Sequence, residues 1–498
     1  MTTVSSSSAL TSSGTLSSPG IGSGLNVTSI VNSLMAINNQ PLTNLQNQAS
    51  TLNGEISAYG QLSSLTSALG DAASTLSSVV LWKSVAATSS NSSAVGATAT
   101  TGAAAGSYSV SVQQLAGGQT VSSAAFANSS ATLGTGTLTI QLGSYSGSGS
   151  GATFTAQSGS SPVAITIDSS NTSLASIASQ INAANAGVSA TIINDASGAR
   201  LALSSTATGT INAFQITASN LGPAGSSGSD LSALNYDATA ASSPMTRNQT
   251  AQNANATVNG IAVSSYNNTL SGISNGLTLN LQQTTTSPVT ISVSPDTATI
   301  TKDINAFVSA YNALNSYIHT ETAYDPTTKT AGTLQGDFAT TNLLSQLRNV
   351  VNNPSSASSV FSSLSDVGIS IQKDGSLAVD STQLSAGFAN LPEMQKLLAA
   401  NTGLDASSGY ITRFANMTQA VLTPTSGSIA TGSSALQAML KDNSSQQASL
   451  QTRLAAMKTA LLAQYQALDT TMAQNTSLAN YMTNSLTAMT ASSSSSSG

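Results

Sequence analysis

The side chains that most often carry catalysis are scarce in this chain. It contains no cysteine, and His319 is its single histidine. Cysteine nucleophiles, thiolate zinc sites and iron–sulfur clusters are therefore excluded. His319 has Ser316 and Glu321 near it in sequence, but helix positions two residues apart do not face each other, and no second carboxylate completes a triad. We therefore expect His319 to face solvent or an interface.

Two short motifs resemble ligand sites, and both fail on their context. Segment 20–24 reads GIGSG, but Leu25 stands where a dinucleotide-binding loop has its third glycine, no strand precedes the segment and no lysine follows it. Asp366, Asp374 and Asp380 lie close in sequence without the spacing of a calcium-binding loop, and Asp374 followed by glycine is better explained as a turn. We expect no cofactor, no metal and no enzymatic activity.

The composition excludes further classes of protein. Of 498 residues, 12 are Lys or Arg and 18 are Asp or Glu, a net charge of -6. Charged residues make up 6% of the chain, against about 25% in ordinary proteins. Because the few cations are scattered, nucleic acid is excluded as a partner. No apolar run is long enough to span a membrane. The opening MTTVSSSSAL lacks the basic and apolar regions of a secretory signal, so we expect any export to use another route.

The N-terminal part carries a helical pattern. From Leu45 to Leu62, apolar residues recur every three or four positions, which places them on one face of either one bent helix or two helices. Before them, Asn26 or Thr28 could cap a shorter helix that ends at Pro41.

The C-terminal part carries the strongest helical pattern. Between Leu450 and Met489, apolar residues again recur every three or four positions. A helix from about residue 433 to 490 would be about 85 Å long, which is too long for one compact core. Such a helix needs a partner surface. For each apolar position, packing within the chain and contact with another subunit remain open alternatives.

The middle of the chain has a different pattern. From about residue 85 to 300 the apolar spacing changes to two and β-branched residues dominate, which predicts short antiparallel strands. Loop-like stretches near 144–154 and 220–250 indicate two subdomains, with one short helix around Ile177. After Pro295 the helical pattern returns, and a hairpin is predicted at 368–380.

These patterns predict an α+β multidomain protein. Its N- and C-terminal helices would form a coiled-coil or helical-bundle stalk, and the β-rich middle would form an inserted head of two subdomains. We expect both ends of the chain to be mobile in isolation. The predicted divisions are a flexible segment with a short helix (1–40), N-terminal bundle helices (41–84), a β-rich head subdomain (85–120 with 251–299), an inserted outer subdomain (121–250), bundle helices with a small hairpin (300–449), and a long C-terminal helix with a Ser-rich tail (450–498).

Several stretches resemble one known family, the bacterial flagellar filament-capping or hook-associated protein 2 family. Their order and spacing extend across nearly the whole chain. They are 20–69, which begins GIGSGLNVTSIVNSLMAINNQPL, GSYSVSVQQLA (106–116), TVNGIAVSSYNNTLSGISNGLTLNL (257–281), DINAFVSAYNALNSYI (303–318), AYDPTTKTAGTLQGD (323–337) and VGISIQKDGSLAVDSTQLSAGF (367–388). Segment 165–216 also resembles a small β-helix-β motif of flagellin and hook-associated proteins.

The resemblance implies a structural protein at the distal tip of the flagellum. Such a protein forms a ring-shaped homo-oligomer, usually a pentamer, which prevents loss of exported flagellin and promotes its folding and polymerisation. Its implied partners are flagellin, the hook-filament junction protein, an export chaperone and the flagellar type III secretion apparatus. The implied location is extracellular.

The resemblance gives the terminal helix faces a role as contacts between subunits or with the filament. The candidate contact residues are Ile30, Leu34, Ile37, Leu45, Leu52, Ile56, Tyr59, Leu450, Leu454, Met457, Leu461, Tyr465, Leu468 and Met472. Two alternatives are a secreted adhesin, which would not explain the paired terminal helices, and another axial flagellar protein such as the hook-filament junction protein. The order of the motifs and the LQGD segment at 334–337 favour the cap.

Overall fold

The computed structural model describes residues 26–147 and 152–494. Its contacts divide the chain into two compact units. Residues 78–300 form one, called here the β unit, and the residues before and after them form the other, called the helical unit. The predicted N-terminal tail with its GIGSG motif, the last four residues of the Ser-rich tail and positions 148–151 of the predicted loop lie outside the described residues.

The elements follow the predicted order of helices, strands and helices. The helices are α1 (Val27–Asn38), α2 (Gln40–Ser77), α3 (Val79–Trp82), α4 (Leu174–Ala183), α5 (Thr297–Thr322), α6 (Phe338–Asn352), α7 (Ser381–Gly387), α8 (Leu391–Ala399), α9 (Tyr410–Leu422) and α10 (Ser428–Ser494). The strands are β1 (Val85–Ser89), β2 (Val95–Ala99), β3 (Gly106–Gln114), β4 (Thr120–Ser122), β5 (Gly136–Ser146), β6 (Thr153–Ala156), β7 (Val163–Ile167), β8 (Val188–Asp195), β9 (Gly198–Ser205), β10 (Ala213–Ser219), β11 (Thr246–Gln249), β12 (Ala254–Val258), β13 (Ile261–Ser265), β14 (Thr269–Ser274), β15 (Leu277–Leu281), β16 (Val289–Pro295), β17 (Tyr324–Asp325), β18 (Thr330–Ala331), β19 (Ile369–Ile371) and β20 (Leu377–Val379).

The helical unit is built around α2, which packs against α9 and α10. Its aromatic centre joins α5 to α9, because the rings of Phe307 and Tyr311 lie 5.2 and 5.7 Å from the ring of Phe414. One face of α2 is fully buried at Leu62, Leu69 and Leu76.

Small residues and caps set the positions of these helices. A Cβ added at Gly70 of α2 would lie 2.8 Å from Thr418 Oγ1 of α9, so the two helices approach closely at this point. Asn26 caps α1 by accepting a hydrogen bond from Ser29 N. Pro41 lies in the first turn of α2, where its missing N–H is tolerated.

The hairpin of β19 and β20 lies against α5. Gly375 adopts a φ of +83°, and Asp374 accepts a hydrogen bond from Ser376 N, so this sequence forms the predicted turn. Asn312 of α5 donates to the carbonyl of Leu377 and accepts from its N–H, at 2.8 and 2.7 Å. This pair of bonds fixes the hairpin to the helix.

The β unit contains two separate apolar cores. The first lies between a five-stranded sheet of order β1-β16-β3-β12-β13 and a three-stranded sheet of order β14-β15-β2. The second lies among a sheet of order β10-β5-β6, in which β7 also pairs with β5, a sheet of order β11-β4-β9-β8, and α4. Ser173 caps α4 by accepting from Ser176 N. The two cores match the two predicted head subdomains.

Most of the predicted architecture is confirmed. The fold is α+β with helices from both ends of the chain and an inserted β-rich part, and α2 is one continuous helix rather than two. The domain boundaries remain a prediction, although α10 begins at Ser428 and runs uninterrupted through the predicted division at 449/450. Helices α7, α8 and α9 lie in the region 300–449 predicted to hold bundle helices, but no apolar pattern was assigned to them individually.

Candidate contact faces of the terminal helices

The first contact face joins α1 to α10. Val27, Val31 and Met35 of α1 are buried against Leu454 of α10. Around this core lie partly buried apolar residues, which are Leu42, Leu450, Leu461, Leu462 and Tyr465. The structure therefore brings together four of the predicted positions of α10 and covers them, fully or partly, within the chain.

The predicted α1 positions lie outside this core. Ile30 and Leu34 are half-buried, and Ile37 is 75% exposed. The residues of α1 that pack on α10 are instead Val27, Val31 and Met35, at spacings of four. The same helical periodicity carries both sets, so the sequence signal could have identified either face.

The second contact face joins α2 to α10 largely through amides. Asn443 Nδ2 donates to Gln48 Oε1 at 3.1 Å, and Gln447 Nε2 donates to Asn443 Oδ1 at 2.6 Å and to the Leu45 carbonyl at 3.4 Å. Asn443 is buried although it is polar. Hydrogen bonds between neutral amides therefore join these helices, where many coiled coils have ion pairs.

A hydrogen-bonded network fixes Tyr59 of α2. Its hydroxyl donates to Asp337 Oδ2 at 2.8 Å, and Asp337 caps α6 by accepting from Thr340 N and Oγ1 at 2.7 and 2.6 Å. Burial, followed by the hydrogen bond to Asp337, raises the pKa of Tyr59 above its usual value. A Cβ at Gly432 of α10 would lie 2.6 Å from the Tyr59 ring, so α10 approaches α2 closely there.

The remaining predicted positions of α2 follow the same face. Leu52 and Tyr59 are buried, whereas Leu45 and Ile56 are half-buried. Leu52, Tyr59 and Leu454 therefore pack within the chain itself.

The C-terminal half of α10 presents a different surface. Leu468 and Met472, both predicted contact residues, are exposed, with Leu468 at 47%, and the predicted contact residue Met457 in the first half of the helix is exposed as well. Further along, the apolar residues continue and remain exposed at Leu478, Tyr481, Met482 and Leu486. Sequence periodicity placed these last residues on the helix, and the length of the helix indicated a need for a partner surface, but neither identified which residues the chain leaves uncovered.

The acidic residues considered as ligands have structural roles. Asp366 accepts from the backbone of Ser362 and Ser363 in a capping box, Asp374 forms a turn, and Asp380 caps α7. Throughout the described residues, no three or more His, Cys, Asp or Glu side chains are grouped as metal ligands would be. His319 is exposed in the last turn of α5, and the Asp374 pKa is lowered mainly by Ser376 and slightly by this histidine.

No helix within residues 26–147 and 152–494 has the length and apolarity that crossing a membrane requires.

Comparison with protein families gives three matches. Residues 23–119 match the model of the flagellar hook-associated protein 2 N-terminus, and residues 251–477 match that of its C-terminus. Residues 153–207 match the flagellin hook IN motif and overlap the predicted β-helix-β segment at 165–216.

Individual relatives agree with the family models. The chain is 31% identical over 380 residues to the B-type flagellar hook-associated protein 2 of Pseudomonas aeruginosa PAO1, covering 72% of this chain and 76% of the relative. It is 31% identical over 361 residues to the flagellar hook-associated protein 2 of Escherichia coli K12, covering 70% and 72%. Among solved structures, the D1-D2-D3 domains of the flagellar cap protein FliD from Escherichia coli match with a TM-score of 0.57 and 31% identity, covering 76% of this chain and 99% of that one.

Proposed function

The chain belongs to the flagellar hook-associated protein 2 family of flagellar filament caps, and from this premise we propose that the exposed half of its α10 makes the contacts that hold the cap in place. The protein is a structural component of the flagellar filament tip. Its terminal helices act there as contact surfaces between subunits and with the filament. Leu468 and Met472, for which the family resemblance implied a contact role, lie in this exposed half of α10.

The observation that carries the proposal is the uncovered apolar face of α10. Leu468, Leu478 and Leu486 are 47%, 58% and 59% exposed on the same side of the helix. Exposed apolar surface of this extent marks an interaction site in a soluble protein. Because almost no charge accompanies it, the contact rests on apolar burial and on hydrogen bonds from Ser, Thr, Asn and Gln.

The assembly is a ring-shaped homo-oligomer, with five subunits as the expected number. A ring needs two different contact surfaces on each chain, because each subunit touches two neighbours with different faces. Flagellin is the protein on which the cap acts, by retention at the tip and by promotion of its folding and polymerisation. This part of the proposal draws on the family to which the chain belongs.

The remaining partners follow from the same role. The cap first docks on the hook-filament junction protein, and it reaches the cell exterior unfolded through the flagellar type III secretion apparatus with an export chaperone. The absence of cysteine agrees with a chain that refolds outside the cell without disulfides.

A complementation experiment tests the proposal. A strain lacking the cap gene receives the wild-type chain, the double variant Leu478→Glu with Leu486→Glu, or a matched control, Ser477→Glu with Asn484→Glu, on the opposite side of α10. Flagellin is then quantified in filaments and in the medium. We expect the apolar-face variant to release flagellin into the medium with short or absent filaments, and the control to restore filaments.

The result that contradicts the proposal is equally specific. Normal filaments with the apolar-face variant would mean that this face makes no necessary contact. Normal filaments without any copy of the chain would contradict the cap function itself.

A further inference from the structure

Strand β13 has a free edge that nothing in the described chain covers. It pairs with β12 through a two-residue turn at Asn259 and Gly260, both of positive φ. In such a hairpin the two residues that flank the turn form backbone hydrogen bonds with each other. Along each strand, the N–H and C=O groups of successive residues then point alternately toward the partner strand and away from it. The N–H and C=O groups of Ala262 and Ser264 therefore point away from the sheet. Both residues are exposed, and no hydrogen bond within the described residues reaches these groups.

The edge of strand β10, by contrast, is covered within the chain. Along β10, Gln119 donates to the Phe214 carbonyl, Ile216 exchanges hydrogen bonds with the backbone of Tyr236, and Ala218 N donates to Asn235 Oδ1. Covering an edge in this way prevents unwanted pairing with another chain.

Strand β13 has none of the usual protections. Its sequence, IAVSS, contains no charge and no proline, and its pairing with β12 has no bulge. An unprotected edge of this kind accepts an added strand.

An apolar cleft lies beside this edge. Its volume is about 350 Å³, and it opens where β13 and β14, the edge strands of the two facing sheets, lie next to each other. Ile261 at its rim is 71% exposed. The apolar residues that line the cleft are Tyr108, Val258, Ile261, Val263 and Ile273. A strand added to β13 would extend the sheet and could place one apolar side chain in this cleft.

Strand β8 of the second core offers a matching edge. By the same alternation from its turn after Asp195, the groups of Ala190, Ile192 and Asn194 point outward. The backbone groups of Ala190 are already hydrogen-bonded, because its N–H donates to Asn182 Oδ1 and its C=O accepts from Asn182 Nδ2, both at 2.8 Å. These two bonds agree with the outward direction assigned to the groups of Ala190. Within the described residues, the outward groups of Ile192 and Asn194 have no such covering.

We propose that β8 of one copy pairs with β13 of a second copy. The backbone groups of Ile192 and Asn194 would bond with those of Ala262 and Ser264, and the side chain of Ile193 would enter the apolar cleft beside β13. Ile193 is 54% exposed on the face of β8 opposite to α4. The two edges belong to different surfaces, so each chain accepts one neighbour and donates to another. A heterologous contact of this kind forms a ring when the rotation between neighbouring copies closes, and an open filament when it does not. The inference rests on the proposed homo-oligomeric cap and names the surfaces that join its subunits.

The absence of cysteine provides a direct test on the full-length protein. The variant Ser264→Cys with Asn194→Cys places a thiol on each edge, in a chain that has no other thiol. A flexible bis-maleimide linker should then join copies into a ladder of multimers. The matched control is Ser264→Cys with Thr217→Cys, whose second thiol lies on the covered strand β10 and is exposed.

The outcomes of the linking experiment separate the possibilities. A ladder with the β13 and β8 thiols, and none with the control, supports the pairing. No ladder would overturn it. Linked dimers from Ser264→Cys alone would also overturn it, because they would mean that two β13 edges pair with each other.

Blocking each edge gives an independent test. Ala262→Pro removes an outward N–H that the fold does not use, and Asn194→Pro does the same on β8. We expect each variant alone to lose the ring, and a mixture of the two to stop at dimers, as measured by light scattering. Ala262→Lys, which adds a charge to the edge, should act like Ala262→Pro without the constraint of a proline ring.

The same variants distinguish this inference from the cap function. Rings that persist in both proline variants overturn the strand pairing, and so does a wild-type chain that stays monomeric at every concentration. The cap function is measured separately, by restoration of filaments with the wild-type chain in the deletion strain. Restored filaments with unaltered rings in the variants would leave the cap function standing and the pairing refuted.

Discussion

The two halves of α10 share one sequence pattern and have opposite surroundings. In residues 428–465, called here the covered half, the apolar face packs on α1 and α2, and Leu454 is buried. In residues 466–490, called here the exposed half, the apolar spacing continues, yet Leu478 and Leu486 face solvent. Periodicity therefore identifies a helix face but does not say whether the same chain or another one covers it.

The largest expected difference concerns leucines in the two halves. Leu454→Ala should lower the free energy of unfolding by about 2 to 4 kcal/mol, because it leaves a cavity between α1 and α10. Leu478→Ala should change it by less than about 0.5 kcal/mol, because the side chain is exposed. Urea unfolding of the full chain measures both. Similar losses at the two positions would mean that the exposed half is covered within the isolated chain.

The next effect concerns the close approach of α10 to α2. Gly432→Ala should cost about 1 to 3 kcal/mol of unfolding free energy, because its Cβ would lie too close to the Tyr59 ring. Gly60→Ala is the matched control, since a Cβ there meets nothing within 4 Å. The control should gain about 0.5 to 1 kcal/mol from helix propensity alone. Equal effects would remove the argument for tight packing of the covered half.

A smaller effect is expected at the tyrosines of the two regions. Tyr59→Phe should cost about 1 to 2 kcal/mol, because Asp337 loses a buried hydrogen-bond donor. Tyr481→Phe, in the exposed half, should be neutral in the free chain. Thermal unfolding at neutral pH compares the two, and a neutral Tyr59→Phe would show that the network contributes nothing.

The raised pKa of Tyr59 predicts that the stability of the fold depends on pH. Its pKa is raised in the folded chain, so the fold favours the neutral phenol. This contribution is complete below the usual tyrosine pKa of about 10 and is lost as the pH rises above that value. The alkaline loss of stability should be shallower in Tyr59→Phe than in wild type. An identical slope would contradict the assignment.

The smallest effect is expected from salt. The ion pairs Arg200 with Asp195 and Lys396 with Glu393 both lie away from α10. Raising NaCl from about 0.05 M to about 0.5 M should therefore change the free energy of unfolding by less than about 0.5 kcal/mol through charge screening. A large loss of stability would mean that charges, rather than amides and apolar burial, hold the covered half.

Much of the fold followed from local sequence signals. The hairpin around Asp374, the cap at Asn26 and the change of period at the β unit each depend on short-range chemistry, and the structure has all three. The division of the β unit into two cores was also predicted, although the loop-like stretches 144–154 and 220–250 lie within the second core and not at its boundaries.

Other features depend on contacts that spacing does not reveal. Helix α9 was missed although Tyr410, Phe414, Met417 and Val421 have helical spacing, and what this spacing does not reveal is the burial of Arg413. Arg413 is buried, since it donates to the carbonyls of Asn353, Pro354, Ala406 and Ser408. The length of the helix predicted that part of it is left uncovered, but the point between Leu454 and Leu478 at which the covering ends could not be predicted, because it depends on how far α1 and α2 extend along α10.

Thiol labelling of α10 before and after assembly tests the central claim, that the exposed half contacts other chains. Met482→Cys lies on the apolar face and Asn484→Cys on the opposite side, in a chain with no other cysteine. In the free chain both should react at similar rates, because both positions are exposed. In caps on filaments, we expect Met482→Cys to be protected and Asn484→Cys to react faster. A thiol at position 482 that reacts equally fast in the free chain and in the cap would contradict the claim.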